Sequence, residues 1–278
     1  MHPFRYLPLV LLAAAAPTEA PYSGNLSLAL LHLGPPQFVV SATFRVGPPP
    51  DWTACPGTPV DNCCYEDEDI RRRHPPAESA LVDAGHLAFA HNNTALGVMA
   101  PPATGRPYAS LSTPSINPFF YWLPGETLRV RGSGGTVHAF DGTMIVPPSI
   151  AGITPDIPPY PGNNEGGAPG IPTPPMQIPR GRPFVIAWTP YAGARMTLSL
   201  TGMNAHGLTG WITCGVSDTT GQAVISTEVL ARFADAETAG INLTRTVTAT
   251  PQKTADNAAI TIFVQEMVAG RAVFVDTP

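Results

Sequence analysis

The chain has 278 residues, enough for one large or two small β units, with 34 prolines, 26 glycines, 44% hydrophobic and only 13% charged residues. That hydrophobic content excludes a wholly disordered chain, and the frequent proline and glycine favour strands joined by many turns. A formal net charge of −5 with a single lysine, Lys253, gives no broad cationic field and argues against a nucleic-acid partner, although Arg71, Arg72 and Arg73 form a local basic run.

Residues 1–20 read as an export signal: Arg5 supplies a short basic start, Tyr6 to Ala16 form an apolar run, and small residues follow. Ala14-Ala15-Ala16 and Thr18-Glu19-Ala20 are both cleavage contexts. Each is followed by a proline that disfavours cutting directly before it, so the position of the cut stays open. The alternative is an uncleaved apolar first strand. The first cysteine is Cys55, so no signal-adjacent lipid anchor is expected, and no later stretch reaches the roughly 18 apolar residues of a spanning helix. The expected mature chain therefore has no membrane span.

The clearest strand is Phe38 to Val46, where Phe38, Val40, Ala42, Phe44 and Val46 alternate with Val39, Ser41, Thr43 and Arg45. Periodicity is then lost from Gly47 to Pro76, within the stretch 47–80 that is expected to be a cysteine-containing loop. Cys55, Cys63, Cys64 and Cys214 form an even set without paired C-x-x-C zinc spacing, which fits disulfides in an oxidising compartment. The Cys63-Cys64 doublet makes bridges to two different partners more natural than a vicinal bond. One bridge from Cys55 to Cys63 or Cys64 is favoured, and a second to Cys214 stays open.

Short strands are expected at Leu87 to Ala90, Phe119 to Trp122, Thr127 to Arg131 and Phe140 to Val146, completing an N-terminal β subdomain over 24–146. Residues 147–183 hold 12 prolines and 6 glycines, a composition that predicts an extended connector without hydrogen-bonded ladders. Over 184–278 the period-two signal strengthens. Phe184, Ile186 and Trp188 alternate inward, as do Met196, Leu198 and Leu200, then Ile212, Cys214 and Val216. A turn is expected at Asp218-Thr219-Thr220-Gly221 before a strand from Gln222 to Ser226, and a brief helix at Thr227 to Phe233. The last strands are Ile241 to Ala249, Ala258 to Glu266 and Ala272 to Val275. The fold expected is all-β: an antiparallel, Ig-like β-sandwich of two packed subdomains with at most one short helix.

The string Trp122-Leu123-Pro124-Gly125-Glu126-Thr127-Leu128-Arg129-Val130, followed by Gly134 to Phe140 and Pro147, resembles a group of uncharacterised secreted or outer-surface proteins of myxobacteria. Ala187-Trp188, Ile212-Thr213-Cys214, Asp218 to Gly221 and Leu230 continue the resemblance in the same order. The resemblance implies export and a β-sandwich, and carries over no established activity. The chain departs from the group in its Cys63-Cys64 doublet and its long proline connector.

No catalytic spacing stands out. Gly132-Ser133-Gly134-Gly135 lacks the G-x-S-x-G of a nucleophile elbow and reads as a hairpin turn. Asp218-Thr219-Thr220-Gly221 departs by one Thr from an aspartic-protease loop and has no second copy. His86 and His91 bracket a strand at five-residue spacing, which does not make a helical zinc pair. The acidic residues Asp61, Glu66, Asp67, Glu68 and Asp69 offer the oxygen ligands that Ca²⁺ prefers, without the glycine turn of an EF-hand, and the simpler reading pairs them with Arg71 to Arg73 or with water. Trp52 and Tyr65 in the loop, and Trp211 on the strand face opposite Ile212 and Cys214, are the aromatic side chains available to a ligand.

These readings favour an exported cell-surface, extracellular or periplasmic binding or structural protein without catalytic activity or required cofactor, its partner a surface protein or polysaccharide. A carbohydrate-binding module is the sharper alternative, and a secreted hydrolase with a dispersed active site is the alternative from another class.

Overall fold

The computed structural model describes residues 22–32, 37–48, 55, 57–67, 70, 80–109, 111–112, 122–158, 174–249 and 254–276. The expected export signal and the segment 159–173 lie outside them. The strands are β1 (Tyr22–His32), β2 (Gln37–Val46), β3 (Thr58–Val60), β4 (Cys63–Glu66), β5 (Leu87–His91), β6 (Thr94–Met99), β7 (Leu111–Ser112), β8 (Thr127–Gly132), β9 (Phe140–Ile145), β10 (Met176–Pro179), β11 (Phe184–Ala187), β12 (Arg195–Asn204), β13 (Gly207–Ser217), β14 (Gln222–Ile225), β15 (Thr238–Ala249) and β16 (Ala259–Val275). One helical turn, α1 (Thr227–Leu230), continues into a 3₁₀ turn through Phe233, where the sequence places its brief helix.

The fold is an all-β sandwich. A long sheet runs β3-β4-β13-β12-β15-β16-β1-β2-β7, with β10 also paired to β16. One face of this sheet carries two apolar clusters end to end. The first gathers Leu26, Leu28 and Leu30 of β1, Phe38 to Phe44 of β2 and Ile260 to Val264 of β16 beneath the sheet β6-β5-β8-β9. The second gathers Met196 to Leu200, Ile212, Cys214, Ile241, Leu243, Ala272 and Phe274 with the pair β11-β14 and α1. β4, β12 and most of β16 bury alternate residues, as half-covered sheets require. The expected core residues Trp188, Leu198, Leu200, Ile212, Cys214, Ile260 and Ile262 are all buried.

The clusters do not divide at the proline-rich segment. Cys63 and Tyr65 pack in the second core, whereas Ala258, Ile260, Ile262 and Val264 pack in the first. β16 is a single strand of 17 residues rather than the expected two, and it serves both cores. Gly270, between the two expected strands, permits close approach: a Cβ there would lie 2.0 Å from the Pro158 carbonyl oxygen. Pairing is not wholly antiparallel either, because β1 and β10 both run parallel along β16, β1 beside Ala259 to Val268 and β10 beside Ala272 to Val275.

Two further expectations are corrected. Residues 147–183 are not ladder-free, since Met176, Gln177 and Ile178 keep their N–H groups between flanking prolines and form β10, with Met176 and Ile178 buried. The cysteine segment is not wholly loop, since β3 and β4 extend the long sheet from β13. Of the expected strand at Phe119 to Trp122, only Trp122 is described; it is buried outside any strand, edge-on to Phe38 with ring centroids 5.0 Å apart.

The boundary between the cores is marked by charge. Arg245 and Glu266 face each other in register on β15 and β16, where the strands pass from Leu243 and Val268 of the second core to Val247 and Val264 beside the first. The chain crosses here from Val146 to Ile150. Arg245 Nη1 donates to the carbonyls of Pro148 (2.7 Å) and Ser149 (3.0 Å), Nη2 donates to that of Thr189 (2.7 Å) and to Asp218 Oδ1 (3.3 Å), and Nε donates to Asp218 Oδ2 (2.6 Å). All five guanidinium N–H groups are thereby satisfied at 1% side-chain exposure. Glu266 accepts from the Ile150 N–H (3.1 Å) and pairs with His32 Nε2 (3.1 Å).

Removing one member of a buried ion pair leaves the other charged and unpaired, which typically costs about 3–5 kcal/mol. Arg245→Met is expected to destabilise the chain by about that much, because Asp218 loses its cationic partner and three carbonyls lose the guanidinium donors together. Urea denaturation would check this, and a loss below about 1 kcal/mol would contradict the role assigned to Arg245.

Candidate functional site

The sequence-expected cysteines and aromatic residues that the structure describes come together where β4 joins β13. Cys63 stands directly opposite Cys214 and is bonded to it, and Cys64 is bonded to Cys55. These two bridges settle the pairing that the sequence left open. Side chains on β4 alternate, so Cys63 and Tyr65 enter the second core while Cys64 and Glu66 face outward. In the chain-entropy description the Cys63–Cys214 link, spanning 151 residues, restricts the unfolded chain by about 5 kcal/mol, and the Cys55–Cys64 link, spanning 9, by about 3 kcal/mol.

Tyr65 is not the exposed loop ring expected from the sequence. It is buried in β4, edge-on to Phe233 with centroids 5.8 Å apart. Burial pushes its hydroxyl above the ordinary tyrosine value; Asp67 adds to this and Arg232 opposes it. Gly210 makes room for the ring, since a Cβ there would come within 2.7 Å of the Tyr65 hydroxyl. Trp211 points the other way. It is half-buried on the outer face of β13, opposite Glu66 of β4 and Thr201 of β12. Thr213, Ser199 and Asn242 continue that face across β13, β12 and β15 in register, a surface of hydroxyls and one amide beside an aromatic ring; Thr244, further along β15, is buried. Arg195 lies along the same face, because a Cβ on Gly215 would meet its guanidinium. Trp52 lies outside the described residues, so the site is built around Trp211.

The described members of the acidic set, Asp61, Glu66 and Asp67, form no metal-ligating group. Asp61 occupies the β3–β4 turn with φ 52°, at the opposite end of β4 from Glu66, and Asp67 accepts the Ile70 N–H at 2.7 Å. Glu68 and Asp69 lie outside the described residues, among which no group of three metal-ligating side chains forms. Asp218 has a structural place: the segment Asp218 to Thr220 is a 3₁₀ turn, and the fully buried carboxylate accepts from Trp188 Nε1 (2.6 Å) as well as from Arg245.

Sequence reasoning missed the histidine–carboxylate pairs. His91 Nε2 lies 2.6 Å from Glu126 Oε2, and the Leu123 N–H holds the Glu126 carboxyl below its ordinary value, with burial opposing and His91 and Asn92 assisting. His138 Nδ1 lies 3.1 Å from Asp256 Oδ2, joining the β8–β9 loop to the loop before β16. Burial alone would raise the Asp256 carboxyl; hydrogen bonds from Thr254, His138 and the Ala258 N–H outweigh it and hold the group at about 2. Partners separated by 35 and 118 residues leave no spacing signal to read.

No protein-family model matches the chain, and no curated protein does. Among solved structures it aligns with a chain described as "Structural insight into host cell surface retention of a 1.5-MDa bacterial ice-binding adhesin", at 10% identity over 92% of this chain and 66% of that one, with a TM-score of 0.17. An overlap that slight bears on neither fold nor function.

Two outcomes are expected. Asp256 has a folded value of about 2 against an ordinary 3.8, so its stabilising contribution is complete above pH ~4 and is lost as pH falls through ~2. The stability difference between the native chain and Asp256→Asn should shrink over that window in denaturation curves at stepped pH, and a constant difference would contradict the assignment. Tyr65→Ala should cost about 3–5 kcal/mol of stability, as loss of a buried aromatic ring does, and a change below about 1 kcal/mol would return Tyr65 to the surface.

Proposed function

We propose that the chain is an exported recognition module that binds a cell-surface or extracellular partner non-covalently through the outer sheet face around Trp211. The observation that carries this reading is the position of Trp211: a large ring on the outer face of a cross-linked sheet, with Glu66 and Thr201 opposite it on the neighbouring strands and the hydroxyls of Thr213 and Ser199 continuing the same face. The two disulfides fit an oxidising compartment, and no described helix is long and apolar enough to cross a membrane. Asp218, which the sequence placed nearest to a catalytic motif, has its carboxylate engaged by Arg245 and Trp188 inside the sandwich.

The purified chain would be screened against surface polysaccharides and envelope proteins, and in parallel against generic ester, peptide and glycoside substrates. Trp211→Ala is expected to lower affinity by about 2 kcal/mol, the scale of a hot-spot residue, with the fold retained by circular dichroism. Thr213→Arg places a bulky cation on the same face from an exposed position, so it should weaken binding without disturbing the core. Unchanged binding in both variants would remove the Trp211 face from the reading. Turnover abolished by one Ser, His, Asp or Glu substitution would replace the recognition reading with the hydrolase.

A further inference from the structure

We infer that the outer bridge, Cys55–Cys64, is a thiol-exchange site: a low-molecular-weight thiol reduces it while Cys63–Cys214 and the fold stay intact. The adjacent residues Cys63 and Cys64 sit on opposite faces of β4. Inside, Cys63 and Cys214 are 5% and 1% exposed and lie in the second core beside Tyr65 and Ile212. Outside, Cys55 and Cys64 are both half-exposed, and the β13 residue opposite Cys64 is the exposed Thr213. Exchange requires a thiolate to reach a bridging sulfur. Solvent access meets that requirement at the outer bridge, whereas the inner one becomes reachable only when β4 separates from β13.

The chemistry balances with an external thiol as reductant. Its thiolate attacks one sulfur of the outer bridge, the S–S bond breaks, and the other cysteine leaves as thiolate. A second thiol then displaces the first, releasing the oxidised small-molecule disulfide and leaving Cys55 and Cys64 reduced. The freed Cys64 thiolate lies across the sheet from Cys63–Cys214, so it is shielded from the inner bridge as long as the β4–β13 ladder holds. Opening the outer bridge releases residue 55 from a strand that remains fixed to β13. Cys64 and Trp211 face the same side on neighbouring strands, so the new thiols border the surface assigned to recognition; the inference about the bridge stands without that assignment.

The test uses the full oxidised chain, incubated with reduced glutathione at mildly alkaline pH, quenched with iodoacetamide over time and mapped by peptide mass spectrometry. Cys55 and Cys64 are expected to be alkylated at least about tenfold faster than Cys63 and Cys214, with circular dichroism unchanged at the stage of two thiols. Equal rates, earlier modification of Cys63 or Cys214, or scrambled Cys55–Cys63 or Cys63–Cys64 products would overturn the inference. The double variant Cys55→Ser, Cys64→Ser should resist the same treatment, and reduction of its remaining bridge at the rate of the native outer bridge would overturn the inference as well.

Discussion

The guanidinium of Arg245 is the constraint on which the two halves of this sandwich depend. One sheet supports two apolar clusters end to end, and a continuous apolar strip would let the covering layers slide along it. Arg245 and Glu266, opposed in register, interrupt that strip. The crossing segment binds them in turn, with two carbonyls on Arg245 and one N–H on Glu266. Asp218 ties the same guanidinium to the turn after β13, and Trp188 ties that turn to the end of β11. A buried charge is tolerated only where every donor finds an acceptor, so the network fixes one arrangement of the covering layers.

The cysteine-linked edge follows a related logic. β3 and β4 are too short to hold a sheet edge by backbone pairing alone. The Cys63–Cys214 bond pins β4 to β13, and Tyr65 fills the space that Gly210 leaves. The outer face beside this edge can then display Trp211 on a backbone fixed from both sides, by β4 and by β12. Rigid display limits the ordering that binding requires.

Period-two patterning was legible in three of the long strands: β2, β12 and β13 are strands where the sequence places them, although β12 and β13 extend beyond the expected limits. β1 was not, because Gly24 and the run Leu28-Ala29-Leu30-Leu31 blur its alternation, and its partner β16 lies more than 230 residues away. β6 escaped notice because the sequence offers Gly97 within it and the pair Asn92-Asn93 before it; both asparagines have positive φ, the conformation of a tight hairpin turn. Trp211 was legible as an outward ring from strand alternation. Tyr65 was misplaced because its burial comes from tertiary pairing with β13, not from any local pattern. The Arg245 network was invisible for the same reason, since its acceptors come from residues 148, 149, 189 and 218.

The parallel pairing of β1 with β16 has a mechanical meaning. β1 begins beside Ala259, whereas β16 runs on to Val275 at the other end of the pair. Tension applied ahead of β1 and beyond β16 would drag the two strands past each other along their length. Every rung from Ser23 to His32 would carry that load at once, whereas a hairpin pulled at its open end loses its rungs in succession. The same β16 is flanked on both sides, so the loaded strand lies in the interior of the sheet. The topology thus resists stretching through shear, whatever the outer face holds.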